Sequence, residues 1–298
     1  MDFGLYQRII NEVKDFASSI TLAVNGESLL HPKFFEMIRY GSKNGIKMLL
    51  NTNATLLNKE NSKQLLDSGV NYISFAFDGY TKSMYENARL GADFEQTLNN
   101  ILTFLQLMKK SKKKSPYCVL SILMLGIKEC SPEEKQVFLD QFRGLIDEVR
   151  QREVSTWGST FKGTDKFSYR DNITSYPPCS RLWTTLCIGY NGDVLPCVYN
   201  ANHEYLLGNL RNNRLTEIWN GEKMLRLRRA MLDGSYLQVF PLCENCIVLG
   251  TRPVLGVPSG IRLSLSDALT NITGYRLEKF LLWFANKLSG NKFTTVSI

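Results

Sequence analysis

Helical and extended hydrophobic patterns alternate from Tyr6 to Trp157, and this alternation restricts the architecture before any single residue is weighed. Tyr6, Ile9, Ile10, Val13 and Phe16 recur at helical spacing, and residues 20–24 form a short apolar strand. A helix through Phe34, Phe35, Met37 and Ile38 precedes a strand at 46–50, and a helix at 63–66 precedes a strand at 72–77. An amphipathic helix at 94–108 precedes a long buried strand at 117–125. Ser131 caps and Pro132 opens a helix running to about Val149, with a last strand near 154–157. Repeated strand and helix units predict an α/β fold with a parallel sheet and right-handed crossovers. Functional loops then belong at the C-terminal ends of the strands.

Three successive strand ends carry unusual residues. Asn25-Gly26-Glu27-Ser28-Leu29-Leu30-His31-Pro32 follows the first strand, Asn51-Thr52-Asn53-Ala54 the second and Asp78-Gly79 the third. Each alone suits ordinary turn chemistry. Their recurrence points to a site.

The second half adds Cys179, Cys197, Cys243 and Cys246, whose intervals read as one metal centre. Cys197 closes the run from Leu186 in which Asn191-Gly192 signals a type I′ hairpin between apolar arms, a device that would hold the thiol at a strand end. Cys243-Glu244-Asn245-Cys246 is a CxxC knuckle, and no βαβ unit frames it as a thioredoxin-type motif. Four thiolates select zinc or an iron-sulfur cluster.

Composition sets the remaining limits. A chain of 298 residues, 44% hydrophobic, can bury the core of one large domain plus an appendage. No apolar run approaches the roughly 18 residues of a membrane span, and Met1-Asp2-Phe3-Gly4 lacks the pattern of a signal peptide, so a cytoplasmic setting is expected. Seven cysteines in a reducing compartment suit ligands and buried thiols rather than disulfides. Much of the +8 charge sits in Lys109-Lys110-Ser111-Lys112-Lys113-Lys114, which reads as a solvated loop. It lacks interleaved aromatics, so no nucleic-acid partner is expected. Leu277, Phe280, Leu281, Phe284 and Leu288 share one helical face with Arg276, Lys279 and Lys287 available to solvent; a capping helix is expected there rather than a membrane anchor. His31 and His203 are the only histidines, and His31 before Pro32 reads as a turn residue, which leaves histidine acid/base chemistry without support and the catalytic residues unidentified.

The stretch to about Trp157 resembles the radical S-adenosylmethionine (SAM) superfamily, whose core is a partial (β/α)6 barrel, and Cys179 to Cys246 is similar to its SPASM or shorter twitch extension. Gly26-Glu27 matches the motif that meets the amino group of SAM, with Ser28 where proline is usual. Asn51-Thr52-Asn53 resembles Asn-Thr-Asn-Gly, Ala54 replacing the glycine, and the strand carrying Ser74 and ending at Asp78-Gly79 resembles the one facing the ribose. The resemblance implies cofactor contacts from Gly26, Glu27, Thr52, Asn53, Ser74 and Asp78. It also implies one auxiliary [4Fe-4S] cluster on Cys179, Cys197, Cys243 and Cys246, because Cys179, Gly192 and Cys197 fit the SPASM opening. Cys187 lies too close to Gly192 and is expected to be a small buried hydrophobe, with Cys118 and Cys130 structural.

The family's CxxxCxxC loop does not occur in the sequence. The resemblance places that loop and the first barrel strand before Met1, and a truncated start is the preferred explanation over a split gene or a degenerate descendant. The layout expected is a truncated barrel at 1–158, a linker at 159–176, a SPASM/twitch domain with a hairpin at 177–250 and a tail at 251–298. The parent would be a radical enzyme acting on a peptide or a small sugar-like molecule. The alternative is a noncatalytic cluster- or zinc-bearing protein, and a protein partner could supply the missing segment.

Overall fold

The computed structural model describes residues 1–23, 26–123, 130–152, 178–244, 246 and 249, and the backbone of 295–296. The chain divides into two compact units, Val13–Val154 with Lys292–Ile298, and Met1–Glu12 with Ser155–Asn291.

The first unit is α/β. Its strands are β1 (Ser19–Leu22), β2 (Lys47–Thr52), β3 (Val70–Ala76), β4 (Tyr117–Leu123) and β5 (Glu148–Arg152), parallel and neighbouring in chain order. Between them run the helices α2 (Phe34–Lys43), α3 (Lys59–Leu66), α4 (Lys82–Ala88), α5 (Phe94–Lys110) and α6 (Pro132–Asp140); α1 (Phe3–Val13), at the start of the chain, belongs up to Glu12 to the second unit. The sheet centre is apolar on both faces, as parallel strands covered by helices require: Ile73, Phe75, Val119 and Leu120 are fully buried. Side-chain caps start the helices. Asn58, Thr81, Asp93 and Ser131 accept from the backbone N–H of Asn61, Met84, Gln96 and Glu134, and Ser131 with Glu134 completes a capping box.

Three expectations need correction. The helix from Pro132 ends at Asp140 rather than near Val149, because the chain turns through Gly144 at φ +69° and enters β5 at Glu148. That strand reads Glu-Val-Arg-Gln-Arg, and its polar residues are accommodated in pairs: buried Glu148 accepts from Arg150 Nε at 2.7 Å and from the Tyr117 hydroxyl at 3.3 Å. β5 also pairs antiparallel with β9 (Thr295–Val296), which nothing in the sequence pattern announced. Phe16, assigned to the apolar face of α1, lies beyond its end at Val13 and is exposed. The lysine-rich run begins in the last turn of α5; the Lys109 ammonium reaches the Gly144 carbonyl at 3.5 Å, and that of Lys113 reaches Asp67 at 2.6 Å and the Leu66 carbonyl at 2.7 Å.

The second unit holds Met1–Glu12 together with Ser155–Asn291. Asp2 meets Arg211 at 3.1 Å, and Glu12 accepts from the Leu215 N–H at 2.7 Å. A small antiparallel sheet orders β6 (Cys187–Ile188), β7 (Asp193–Leu195) and β8 (Gly208–Asn209), with α7 (Arg181–Thr184), α8 (Leu215–Trp219), α9 (Glu222–Asp233) and α10 (Tyr236–Val239) around it. The hairpin is where the sequence put it, but its turn is not type I′. The Gly192 N–H bonds the Gly189 carbonyl, so Tyr190 and Asn191 are the central residues; Asn191 keeps a negative φ while Gly192 takes +93°. A three-residue connection ending on a left-handed glycine results. No helix among the described residues is long and apolar enough to cross a membrane. The expected strand near 154–157 and the tail helix around Leu277–Leu288 lie outside the described residues.

Candidate metal centre and strand-end site

At the C-terminal ends of β1 and β2 the structure brings Glu27, Thr52 and Asn53 together. The Glu27 carboxylate accepts from the Thr52 hydroxyl at 3.0 Å, the Asn53 N–H at 2.8 Å and the Leu29 N–H at 3.1 Å. One carboxylate thus gathers donors from two strand ends, which fixes its position. Gly26 holds φ +85°, a conformation that side chains resist. Ser28, standing where proline was expected, bonds the Leu22 carbonyl at 3.0 Å through its hydroxyl and ties this loop to β1. The Asn53 side chain turns into its own loop, accepting from Thr55.

Ser74 is buried within β3. Asp78, just past it, is held by Arg89 through Nε at 2.9 Å and Nη2 at 2.7 Å and accepts from the Leu123 N–H at 3.2 Å. It therefore fastens the end of β3 to α4 and β4. Gly79 follows at φ +148°, and a Cβ there would lie 2.8 Å from the Tyr85 nitrogen.

Ala54 explains the family's glycine at that position: its φ is +61°, the left-handed region. Asn100 on α5 holds the loop by donating to the Ala54 and Thr55 carbonyls at 3.0 and 3.1 Å. This buried clamp escaped the sequence reading; its signal is an asparagine on the otherwise apolar face of α5. Ala54→Gly should raise stability by about 0.5–1 kcal/mol, the relief of left-handed strain exceeding the added freedom of the unfolded chain. A lower chemical-denaturation midpoint for Ala54→Gly would refute this.

In the second unit Cys179, Cys197, Cys243 and Cys246 line one small pocket, with Leu182, Tyr199, Met231, Phe240, Leu242 and Leu249 as apolar wall and Arg181 as the charged member. Cys179 precedes α7, Cys197 follows β7, and the last pair frames the end of a short 3₁₀ turn, Pro241–Cys243. All seven cysteines are free thiols. Burial pushes the Cys243 thiol well above its usual range, and Cys246, Cys179 and Cys197 push it further, so all four thiols act on one locale. Burial also raises Cys179 and Cys197, against backbone N–H groups of Arg181 and Leu182 at the first and of Tyr199 and Val198 at the second. Any metal must displace protons here.

Among the described residues no group of three histidine, cysteine or acidic side chains is disposed to hold a single ion. Tetrahedral zinc would draw its thiolates to about 2.3 Å from one centre. Four soft thiols on one apolar pocket suit zinc or an iron-sulfur cluster. Cys187 is buried in β6, its thiol pushed up to about 12 mainly by burial and next by Cys197, as expected of a structural thiol. Cys118 is buried in β4 with its thiol raised by desolvation; Cys130 is half-buried beside α6. Arg181 at the pocket was not anticipated, although a basic residue two places after a ligand cysteine was visible.

The chain belongs to the radical SAM superfamily and carries a SPASM domain. The superfamily model matches residues 5–137, and the iron-sulfur cluster-binding SPASM domain matches 179–247. Both imply iron-sulfur clusters and SAM binding. The tungsten-containing aldehyde ferredoxin oxidoreductase cofactor-modifying protein of Pyrococcus furiosus is 34% identical over 289 residues, covering 83% of this chain and 79% of that protein. An AdoMet-dependent heme synthase of Methanosarcina barkeri is 35% identical over 96 residues, 32% of this chain; the match spans only 28% of the synthase. Streptococcus suis SuiB bound to precursor peptide SuiA shares the fold with a TM-score of 0.57 at 15% identity, over 82% of this chain and 64% of that one. BtrN in complex with AdoMet and 2-DOIA does so with a TM-score of 0.52 at 17% identity, over 84% and 82%.

Proposed function

We propose that this chain forms the SAM-binding sheet and the auxiliary-cluster domain of a radical SAM/SPASM protein, with one [4Fe-4S] cluster held by Cys179, Cys197, Cys243 and Cys246. The observation that carries the reading is the convergence of these four thiols on one apolar pocket. Once bound, such a cluster supplies one-electron chemistry; the surrounding residues exclude water and fix the thiols. In the first unit Gly26 and Glu27 take the amino group of SAM, and Thr52 and Asn53 act by orienting Glu27. Ser74 and Asp78 face the ribose, Asp78 already set in place by Arg89.

The substrate is a peptide or a small molecule. Relatives named for modifying a tungsten-enzyme cofactor and for making heme, and a structural neighbour bound to a precursor peptide, support that class. Within these 298 residues only Cys118 and Cys130 precede Cys179, so three thiolates cannot converge on a SAM-cleaving cluster. That observation favours the second reading, a noncatalytic cluster- or zinc-bearing protein, for the chain taken alone.

Purified without oxygen, the protein should be brown and contain iron and sulfide at about four each per chain, the composition of one [4Fe-4S] cluster. With reductant and SAM it should produce no 5′-deoxyadenosine. Stoichiometric zinc without sulfide would overturn the cluster assignment, and reductant-dependent 5′-deoxyadenosine would overturn the noncatalytic state of the isolated chain.

A further inference from the structure

Arg181 is the one charged side chain among the described residues lining the thiol pocket. It follows Cys179 by two residues and opens α7. Its Nε is buried and finds no acceptor among the described residues. A buried guanidinium donor without a partner is costly. The described wall offers it no carboxylate, only thiols, aromatic rings and aliphatic groups.

Arg228, a buried arginine, is the neighbour for comparison. Arg228 donates from Nε to the Leu182 carbonyl and from Nη1 to the Trp219 carbonyl, both at 2.9 Å, and lies over the Trp219 ring at 4.2 Å. Its Nε and Nη1 are committed to backbone and its plane to the ring, while its Nη2, like the Arg181 Nε, is buried without a partner among the described residues; Arg228 thereby fixes α7, which carries Arg181. Arg228 holds the wall through its backbone bonds, and Arg181 contributes to the pocket lining itself.

Building on the cluster reading above, we propose that Arg181 is a positioning residue of the auxiliary centre, whose positive charge, fixed in the lining beside the sulfur ligands, raises its reduction potential. A [4Fe-4S] centre on four thiolates is anionic, and reduction adds one more negative charge. A fixed cation at its edge, in a pocket of low dielectric, stabilises the reduced form more than the oxidised one.

The test uses the full chain, reconstituted without oxygen, as wild type and as Arg181→Lys, Arg181→Gln, Arg181→Met and Arg228→Lys. Iron and sulfide per chain, an EPR-monitored redox titration and the thermal midpoint are measured for each. Arg181→Met and Arg181→Gln should shift the cluster's reduction equilibrium toward the oxidised form by about tenfold, roughly 59 mV for one electron, at unchanged iron and sulfide. Arg181→Lys should retain most of the wild-type potential, and Arg228→Lys should lower the thermal midpoint without moving the potential. If Arg181→Met fails to load, Arg181→Gln gives the same reading. An unchanged potential in a fully loaded Arg181→Gln, or an equal shift in Arg228→Lys, overturns the assignment of this role to Arg181. Wild type that binds no sulfide overturns the cluster reading itself, and this proposal with it.

Discussion

Replacing Cys243 and Cys246 together by alanine should reduce the iron and sulfide content to background and unfold the surroundings of the pocket. The two thiols line the pocket with Cys179 and Cys197, and the remaining pair cannot hold a cluster alone. The same residues sit in the core of their unit. Leu182, Leu227, Met231, Phe240, Leu242 and Leu249 form a buried cluster with Cys246, and Cys179, Cys197 and Cys243 pack against it. A small domain of this kind draws much of its folding free energy from its metal; structural zinc sites contribute about 10–16 kcal/mol of apparent binding energy, all of it folding energy where no site exists in the unfolded chain. Cys187→Ala should behave differently, with full iron and sulfide and a cost of about 1 kcal/mol for one small buried side chain. The two variants together test the division between ligand and structural thiols. Retention of iron and sulfide in the double variant would remove Cys243 and Cys246 from the ligand set, and loss of both in Cys187→Ala would add a ligand.

The strand-end site was legible because its chemistry is local. Gly26, Glu27, Thr52 and Asn53 stand at the ends of apolar strands, and a parallel sheet must bring such ends to one side. The thiols were legible for the same reason, their spacing and residue type together defining a site without knowledge of the fold. Three features were not. β5 carries Glu148, Arg150, Gln151 and Arg152, and only its pairing with β4 and the Glu148, Arg150 and Tyr117 contacts reconcile that polarity with a buried strand. The helix α4 has seven residues, with Met84 and Tyr85 its buried positions, too few to show a period. The turn before Cys197 depends on which residues pair across the hairpin. Asn191-Gly192 supports a two-residue turn in isolation, and the Gly189–Gly192 bond together with Asn209 and Arg211 on the Asn191 carbonyl selects the longer one. Arg89, Asn100 and Arg181 were also missed. Each acts through a partner remote in sequence or through burial, neither of which residue order reveals.

Phe77→Ala should cost 3–5 kcal/mol, the range for deleting a large buried aromatic side chain, out of a total of about 5–15 kcal/mol for a domain. Phe77 is fully buried immediately after β3. Its ring stacks on Tyr85 at 4.4 Å and on Phe138 at 5.4 Å and meets Phe94 edge-on at 5.3 Å, so it joins α4, α5 and α6 to the sheet. Its N–H bonds the Ser121 carbonyl at 2.9 Å, and the next residue, Asp78, carries the Arg89 and Leu123 contacts. Removing the ring leaves a void among three helices that cannot move independently, because Gly79 fits against Tyr85 with no room even for a Cβ. Tyr85→Phe supplies the internal contrast. The Tyr85 hydroxyl is buried without a partner among the described residues, so deleting it removes a desolvation cost and should leave stability unchanged or slightly higher. Denaturant unfolding of both variants, read as midpoint shifts at constant slope, decides the matter. A Phe77→Ala loss below about 1.5 kcal/mol, no more than a volume-conserving swap, would mean that the aromatic cluster can collapse around the missing ring and does not hold the strand-end loop in place.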